Sequence, residues 1–160
     1  MKVKIKKLHK DAVIPCYART GDAGMDLTAV SMSYDEYGNI CYGTGLAFEI
    51  PKGYVGLIFP RSSICKEQML LSNSVGVIDS GYRGEVSFKF KPSMALDDKQ
   101  CVKSDDNILW ATTIKKNSTY QVGNRIGQII ILPYPQIEFE EAEELSETER
   151  GAKGYGSSGK

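Results

Sequence analysis

Residues 150–160 combine residue types that suit a phosphate ligand. Their glycines let backbone N–H groups approach an anion closely, and Arg150 offers a guanidinium that can hold two phosphate oxygens at once. The segment is not a Walker A loop, because Ser157 stands where that motif requires lysine. A glycine-rich end is also typical of a mobile tail without a ligand, so composition alone leaves both interpretations open.

A second phosphate candidate is the run 60–63, Pro-Arg-Ser-Ser, which follows an alternating strand pattern and opens a helix-like stretch at residues 63–71. N–H groups at a helix start can bind anions, and Arg61 adds positive charge. The same residues suit an ordinary helix start, in which a serine caps the helix and the arginine faces solvent. We expect one short helix or turn at most in this stretch.

A candidate general base lies in residues 73–85, where an apolar run ends at Asp79 and Ser80-Gly81 marks a turn before another alternating run. This pattern predicts a β-hairpin, whose main chain can present N–H and C=O groups to a planar ligand. Asp79 at the mouth of that hairpin could take a proton from water. An aspartate that only stabilises the turn is the competing interpretation.

Short alternating runs must position these segments. They occur at residues 3–5, 46–50, 55–59, 86–90, 128–132 and 137–139, and several are ended by proline. Such runs predict an all-β fold, a jelly-roll-like β-sandwich or barrel. The 160 residues suit one domain, residues 1–149, followed by a flexible tail at 150–160. The seven glutamates within 138–149 predict a solvated connector.

The composition argues against several classes of protein. Lys+Arg and Asp+Glu balance at 20 each, which argues against direct nucleic-acid binding. The longest aliphatic run, residues 129–132, is too short for a membrane span, and the basic N-terminus lacks the apolar part of an export signal. We therefore predict a cytoplasmic protein. Its four cysteines, whose spacing does not favour zinc, are predicted to be reduced, buried or half-buried thiols: Cys16, Cys41, Cys65 and Cys101.

Five segments, in order, resemble the five motifs of the trimeric dUTP diphosphatase (dUTPase) family. They are residues 23–27, 60–63, 76–84, 123–128 and 150–159, and the resemblance runs from Val3 to Gly159. It implies a jelly-roll homotrimer with active sites at subunit interfaces, where the tail closes over the bound ligand. It also implies Mg²⁺-dependent hydrolysis of dUTP to dUMP and pyrophosphate, which limits uracil incorporation into DNA and supplies dUMP for dTMP synthesis.

The resemblance implies a role for each matching residue. Asp79 matches the general base that activates water for attack on the α-phosphorus. Asp26 matches a carboxylate that holds Mg²⁺ through water, while the substrate phosphates hold most of the ion. Tyr82 matches the aromatic that leaves no room for a ribose 2′-hydroxyl. The uracil-reading residues are matched by Asn73, Gly76, Val77 and Ile78. The phosphate contacts are matched by Arg61, Ser62, Ser63, Gln128 and Arg150. The remaining tail residues are Tyr155, which stacks on uracil, and Gly156, Ser157 and Ser158.

Two departures from the family pattern affect the interpretation. Gly127 stands where alanine is usual in the fourth motif. The stretch between Asp79 and Arg125 is longer than the pattern needs, with room for about one extra hairpin within residues 94–120. Some phage-encoded relatives carry an insert here that contacts a repressor protein. A protein partner bound through the insert is therefore a secondary hypothesis.

Two rival functions stay open on the sequence. A dCTP deaminase shares the fold and the third motif, but its pattern places a catalytic glutamate ten residues after the hairpin aspartate, where this chain has Lys89. Lysine cannot shuttle protons as that carboxylate does, and ammonia release from dCTP would discriminate. A non-enzymatic regulator that keeps the nucleotide site as a sensor is the second rival. The insert favours it, whereas the complete set of hydrolytic residues argues against it.

Overall fold

The structure, a computed structural model, describes residues 1–93, 100–104, 107–111 and 119–154, with residues 100–111 described by backbone alone. The described residues form short strands and one 3₁₀ helix, Ser62–Lys66, and the predicted all-β class is confirmed. The strands are β1 Lys4–Lys7, β2 Met25–Thr28, β3 Ser31–Tyr34, β4 Ile40–Gly43, β5 Leu46–Glu49, β6 Tyr54–Pro60, β7 Met69–Leu71, β8 Gly76–Ile78, β9 Ser87–Pro92, β10 Gln100–Ser104, β11 Asn107–Ala111 and β12 Arg125–Pro133.

Two antiparallel four-stranded sheets share one hydrophobic core. The first sheet has the order β2-β12-β6-β8, and the second has the order β3-β4-β9-β7. The buried side chains come from both sheets and include Leu27, Ile58 and Ile129 from the first and Tyr42, Phe88 and Phe90 from the second. Strands β1 and β5 form a separate pair. This is the layered arrangement of a β-sandwich, since each sheet buries one face against the other.

The first sheet also carries apolar side chains on its outer face. Strand β6 forms where alternation predicted it, but the core contact is made by Ile58, while Val55, Leu57 and Phe59 are only half-buried on the opposite face. Leu57 pairs with Ile130 of β12 and with Val77 of β8, which is 61% exposed. Paired residues share a face, so apolar side chains form a row across the outer surface.

One local prediction around the candidate site is wrong. Residues 73–90 do not form a hairpin, because β8 pairs with β6 in the first sheet, whereas β9 pairs with β4 and β7 in the second. The main chain crosses between sheets at Val86, whose N–H donates to Leu46. The expectation of one short helix at most within residues 63–71 is confirmed, because the 3₁₀ helix ends at Lys66. Strand β7 then pairs with β9, which takes Met69 and Leu71 into the core.

The predicted insert contains the expected hairpin. Strands β10 and β11 pair with each other in antiparallel register, from Gln100 opposite Ala111 to Ser104 opposite Asn107. The remaining insert residues up to 118 lie outside the described residues.

The segment that follows β12 extends away from the core. Residues 134–154 are exposed throughout in the single chain, which is compatible with the predicted connector, and the predicted strand at 137–139 does not form. Among the three cysteines whose side chains the structure describes, Cys41 is half-buried as predicted, whereas Cys16 and Cys65 are exposed. The burial of Cys101 lies outside the described side chains. No helix among the described residues is long and apolar enough to span a membrane.

Candidate active site

Three adjacent strands bring three sequence motifs to one row of the first sheet. Asp26 on β2 lies opposite Gln128 on β12, and Gln128 lies opposite Phe59 on β6. Pro60 and Arg61 follow Phe59 directly. Directly opposed residues share a face, so the register places the first, second and fourth motifs side by side on the outer face.

The Asp26 carboxylate is the centre of this row. Its Oδ1 accepts a hydrogen bond from Arg61 Nε at 2.8 Å, and its Oδ2 accepts one from Arg125 Nη1 at 3.1 Å. The Asp26 side chain is 25% exposed, so water screens these pairs only in part. We call Asp26, Arg61 and Arg125 the arginine–aspartate cluster. It holds two guanidiniums close together with a single compensating charge, which leaves positive charge for an anionic ligand.

Close packing fixes the amide of Gln128 beside the cluster. Its Nε2 donates to the Pro60 carbonyl at 3.2 Å. Gly24 lies so near that a Cβ there would stand 2.5 Å from Gln128 Oε1. The glycine of the first motif therefore makes room for the glutamine of the fourth.

The Gly127 departure has a packing explanation. A Cβ at this position would overlap the ring of Phe88, which is fully buried, and would stand 2.9 Å from the Phe59 carbonyl oxygen. The aromatic side chain on β9 thus fills the space that an alanine methyl would need.

The two serines of the second motif do not cap the helix. Arg61 occupies the N-cap position, and no side-chain hydrogen bond caps the helix, which has only five residues. Ser62 is exposed, while Ser63 is half-buried with its Oγ 3.1 Å from the hydroxyl of Tyr120. The alternative of an ordinary helix start with a solvent-facing arginine does not hold either, because Arg61 is ion-paired to Asp26.

The candidate base lies on an exposed turn after β8. The Asp79 carbonyl accepts a hydrogen bond from the Tyr82 N–H at 3.0 Å, so the main chain forms the turn. In the part of the chain that the structure describes, no hydrogen bond engages the Asp79 carboxylate. Tyr82 is 45% exposed, and its hydroxyl donates to the Glu85 carbonyl at 3.0 Å. Asn73, before β8, is exposed as well.

The fold keeps Asp79 away from Arg61 of the same chain. Ile78 pairs with Gly56, so Asp79 follows at the level of Val55, six positions along β6 from Arg61. At roughly 3.3 Å per strand residue, the two backbones lie about 20 Å apart. A general base must come within hydrogen-bond reach of its proton, directly or through one water. Asp79 and Arg61 of one chain are therefore too far apart to contact the same phosphate group.

The tail residues are only partly described. Arg150 is exposed, and its Nε donates to the Lys153 carbonyl at 3.0 Å. Tyr155, Gly156, Ser157 and Ser158 lie outside the described residues.

The residues at the row fit an indirect contact with Mg²⁺. The described residues contain no group of three or more His, Cys, Asp or Glu side chains able to hold a metal. Both Asp26 oxygens already accept from arginines, but an ionised carboxylate has about four acceptor sites, so each oxygen can also accept from a metal-bound water.

Residue 89, where a deaminase would carry its catalytic glutamate, is a lysine that is ion-paired elsewhere. Lys89 Nζ donates to Asp35 Oδ2 at 3.1 Å on the second sheet. Hydrogen bonding to Asp35 raises the pKa of Lys89, which keeps the ammonium charged. It cannot accept a proton there.

Arg125 is a residue whose role the sequence interpretation missed. It was part of the fourth motif, but its contact with Asp26 spans 99 positions of the chain. Only the pairing of β2 with β12 reveals this contact.

Comparison with known proteins agrees with this arrangement. The family model described as dUTPase matches residues 10–96 and 107–159. The unmatched residues between them, 97–106, fall within the predicted insert. The deoxyuridine 5′-triphosphate nucleotidohydrolase of Nautilia profundicola is 42% identical over 100% of both chains. The enzyme of that name from Corynebacterium glutamicum is 37% identical over 99% of this chain and 95% of its own.

Solved structures show the same similarity. The dUTPase of Staphylococcus bacteriophage 80alpha with dUpNHpp is 31% identical, with a TM-score of 0.77 over 99% of this chain and 98% of that one. The phage phi11 dUTPase, described with a structural Mg(II) ion, is 25% identical, with a TM-score of 0.69 over 90% of this chain and 98% of that one. With motifs, fold and whole-length relatives in agreement, the chain belongs to the dUTPase family.

Proposed function

We propose that the protein hydrolyses dUTP to dUMP and pyrophosphate with Mg²⁺, thereby limiting uracil incorporation into DNA and supplying dUMP for dTMP synthesis. The observation that carries this proposal is the row in which Asp26, Arg61 and Gln128 meet. It brings positive charge and hydrogen-bond donors from three motifs to one surface. A triphosphate needs such a surface before its phosphorus can be attacked, because its own negative charge repels a nucleophile.

In the proposed reaction, Asp79 takes a proton from a water molecule as the water oxygen bonds to the α-phosphorus. The bond from the α-phosphorus to the bridging oxygen breaks, and pyrophosphate leaves with that oxygen. Arg61, Ser62, Ser63 and Gln128 bind phosphate oxygens and stabilise the charge that moves onto the leaving group. Mg²⁺, held by the phosphates and through water by Asp26, would supply Lewis-acid neutralisation of those oxygens.

Strand β8 suits the proposed uracil recognition. It is the edge strand of the first sheet, so the main-chain groups on its free side can pair with a ligand as with another strand. Uracil presents two carbonyls and one N–H, which the main chain at residues 76–78 and Asn73 can read. Tyr82 follows on the turn and would pack against the deoxyribose.

Three observations support a homotrimeric assembly in which copies share each site. Asp79 is about 20 Å along the strand from Arg61, by the strand rise of roughly 3.3 Å per residue. The outer face of the first sheet exposes apolar side chains such as Val77. The connector exposes Ile137 and Phe139, which need a neighbouring surface to be covered. Asp79 of one copy would then reach phosphates held by the Arg61 of another.

The tail and the insert complete the proposal. Residues 150–160 would close over bound dUTP, with Arg150 on a phosphate and Tyr155 stacked on uracil.

A partner protein bound through residues 94–120 stays a secondary proposal, as does the cytoplasmic location. Removing the β10–β11 hairpin tests the former: dUTP hydrolysis should persist, while binding of a partner would be lost.

Pyrophosphate release from dUTP with Mg²⁺ tests the function. We expect release from dUTP, little from UTP, dTTP or dCTP, and no ammonia from dCTP. Nucleotide binding without turnover would support the regulator, and ammonia from dCTP would support the deaminase. Sedimentation equilibrium tests the assembly, since a fully active monomer would refute the shared site.

A further inference from the structure

Two hydroxyl groups from distant parts of the chain meet at the proposed phosphate surface. Ser63 lies in the 3₁₀ helix directly after Arg61, and Tyr120 lies just before β12. Their hydroxyl oxygens are 3.1 Å apart, although the residues are 57 positions apart in sequence. Ser63 is half-buried, so its hydroxyl can meet a ligand on one side and Tyr120 on the other.

The core fixes the position of the Tyr120 hydroxyl. The residue is 4% exposed, and its ring makes edge-on contacts with Phe90, at a centroid distance of 5.8 Å, and with Tyr42, at 6.3 Å. The Tyr120 carbonyl also accepts a hydrogen bond from the Tyr42 hydroxyl at 2.8 Å. Ring and main chain are therefore both held, and Ser63 meets a partner that cannot move away.

A phosphate ligand would fix the direction of the hydrogen bonds. Phosphate oxygens bound by Mg²⁺ and arginines only accept, and a serine hydroxyl has one hydrogen to give. Ser63 can give it to phosphate only if its oxygen accepts from Tyr120. The Tyr120 phenol can donate, because burial raises its pKa and keeps it protonated. Hydrogen bonds in series polarise one another, which strengthens the last one.

Resting on the proposed function, we propose that Tyr120 is a positioning residue that orients the Ser63 hydroxyl toward a substrate phosphate. Tyr120 donates to Ser63 Oγ, and Ser63 donates to a phosphate oxygen. The aromatic core between the two sheets thereby sets the geometry of one phosphate contact. Tyr120 itself touches no substrate.

The test is a double-mutant cycle on binding of α,β-imido-dUTP, measured by calorimetry with Mg²⁺. Tyr120→Phe removes one hydroxyl and keeps the ring in its aromatic contacts. We expect it to weaken binding roughly two- to tenfold, the usual worth of one hydrogen bond. Ser63→Ala should weaken binding at least as much, and adding Tyr120→Phe to Ser63→Ala should cause no further loss. Competitive inhibition by deoxyuridine, which has no phosphate, should not change.

Thr44→Val is the matched control, because it removes a fully buried hydroxyl that bonds to main chain, the Val86 carbonyl, and contacts neither Ser63 nor Tyr120. It should lower the melting temperature but leave affinity for the analogue within about twofold, since a neutral hydrogen bond inside the core contributes to stability. Additive losses in the cycle, or equal losses for the analogue and deoxyuridine, would overturn the role of Tyr120. A wild-type protein that releases no pyrophosphate from dUTP would instead overturn the proposed function, and this inference with it.

Discussion

The two sides of the proposed site differ in how the fold holds them. The strand-held side consists of Asp26, Arg61, Arg125 and Gln128, whose side chains are linked to one another or to main chain across neighbouring strands. The loop-held side consists of Asn73, Asp79, Tyr82 and Arg150, which are exposed and whose side-chain hydrogen bonds within the described residues are local. One side has its geometry before any ligand arrives, whereas the other must acquire it.

Because of this difference, the two sides should contribute to ligand binding in different ways. The strand-held side has already lost its conformational freedom during folding, so its charges can act on a phosphate without reorganisation. Ordering the loop-held side costs conformational entropy at the moment of binding. The site should therefore close only over a ligand whose contacts offset that cost. Variants of the two sides should therefore affect different quantities.

The largest effect is expected from the loop-held side, at Asp79. Asp79→Asn keeps the shape of the side chain but cannot accept the proton of the attacking water. Turnover of dUTP should fall about 10²–10⁴-fold, the usual contribution of a general base. Affinity for α,β-imido-dUTP should stay within a few fold. Asp11→Asn, an exposed carboxylate elsewhere, serves as the control. Turnover close to that of the wild type would show that another group is the base.

Removing the tail after Glu149 should produce the next largest effect. Without residues 150–160, the triphosphate loses Arg150 and the cover that holds it in line, so kcat should fall by about 10²-fold, as reactions do when alignment is lost. The melting temperature should barely change, because the described tail residues are exposed. Arg150→Ala alone should cause part of the loss. Equal kcat for the intact and truncated proteins would exclude a lid.

On the strand-held side, Asp26→Asn should affect binding and stability together. The amide removes the charge that holds two arginines, and Arg61 and Arg125 would repel each other. Affinity for the analogue with Mg²⁺ should fall by roughly tenfold, in line with hydrogen bonds to charged groups. Asp22→Asn, whose carboxylate accepts a hydrogen bond from the local Arg19 N–H, is the matched control. Unchanged affinity would mean that the arginines align without Asp26.

Gly127→Ala tests whether the strand-held side depends on the core beneath it. The added methyl would overlap Phe88, so the variant should lose about 1–3 kcal/mol of unfolding free energy, as overpacked cores do. Phe88→Leu in the same chain should restore part of this loss by opening space. Denaturant unfolding measures both. A stable Gly127→Ala variant with Phe88 intact would show that the strands can separate slightly at this point.

The sequence motifs identified residues of the strand-held side but not all of the contacts between them. Alternation located β6, and the motifs identified Asp26, Arg61 and Gln128. Neither could show that Arg125 reaches Asp26, because that contact depends on the pairing of β12 with β2. The hairpin prediction failed at Asp79 for the same reason. Local turn signals do not reveal that β8 and β9 pair with different strands.

The smallest effect is expected outside both sides, at the turn between β3 and β4. Hydrogen bonds from Asn39 hold the pKa of Asp35 well below its usual 3.8, and the contact with Lys89 adds to this effect. A depressed pKa means that the charged form stabilises the fold: the contribution is complete above pH 3.8 and is lost as the pH falls toward the folded pKa. The stability difference between wild type and Asp35→Asn should therefore be largest at neutral pH and shrink below pH 4, as measured by urea midpoints.

Glu36→Gln on the same turn controls for the loss of a surface charge. Turnover of dUTP at pH 7 should be equal in all three proteins, because the contact of this turn nearest to the site, from Ser72 Oγ to Asn39 Oδ1, involves neither substituted side chain. A difference that stays constant from pH 7 to pH 3 would show that hydrogen-bond geometry, rather than the charge of Asp35, stabilises the turn.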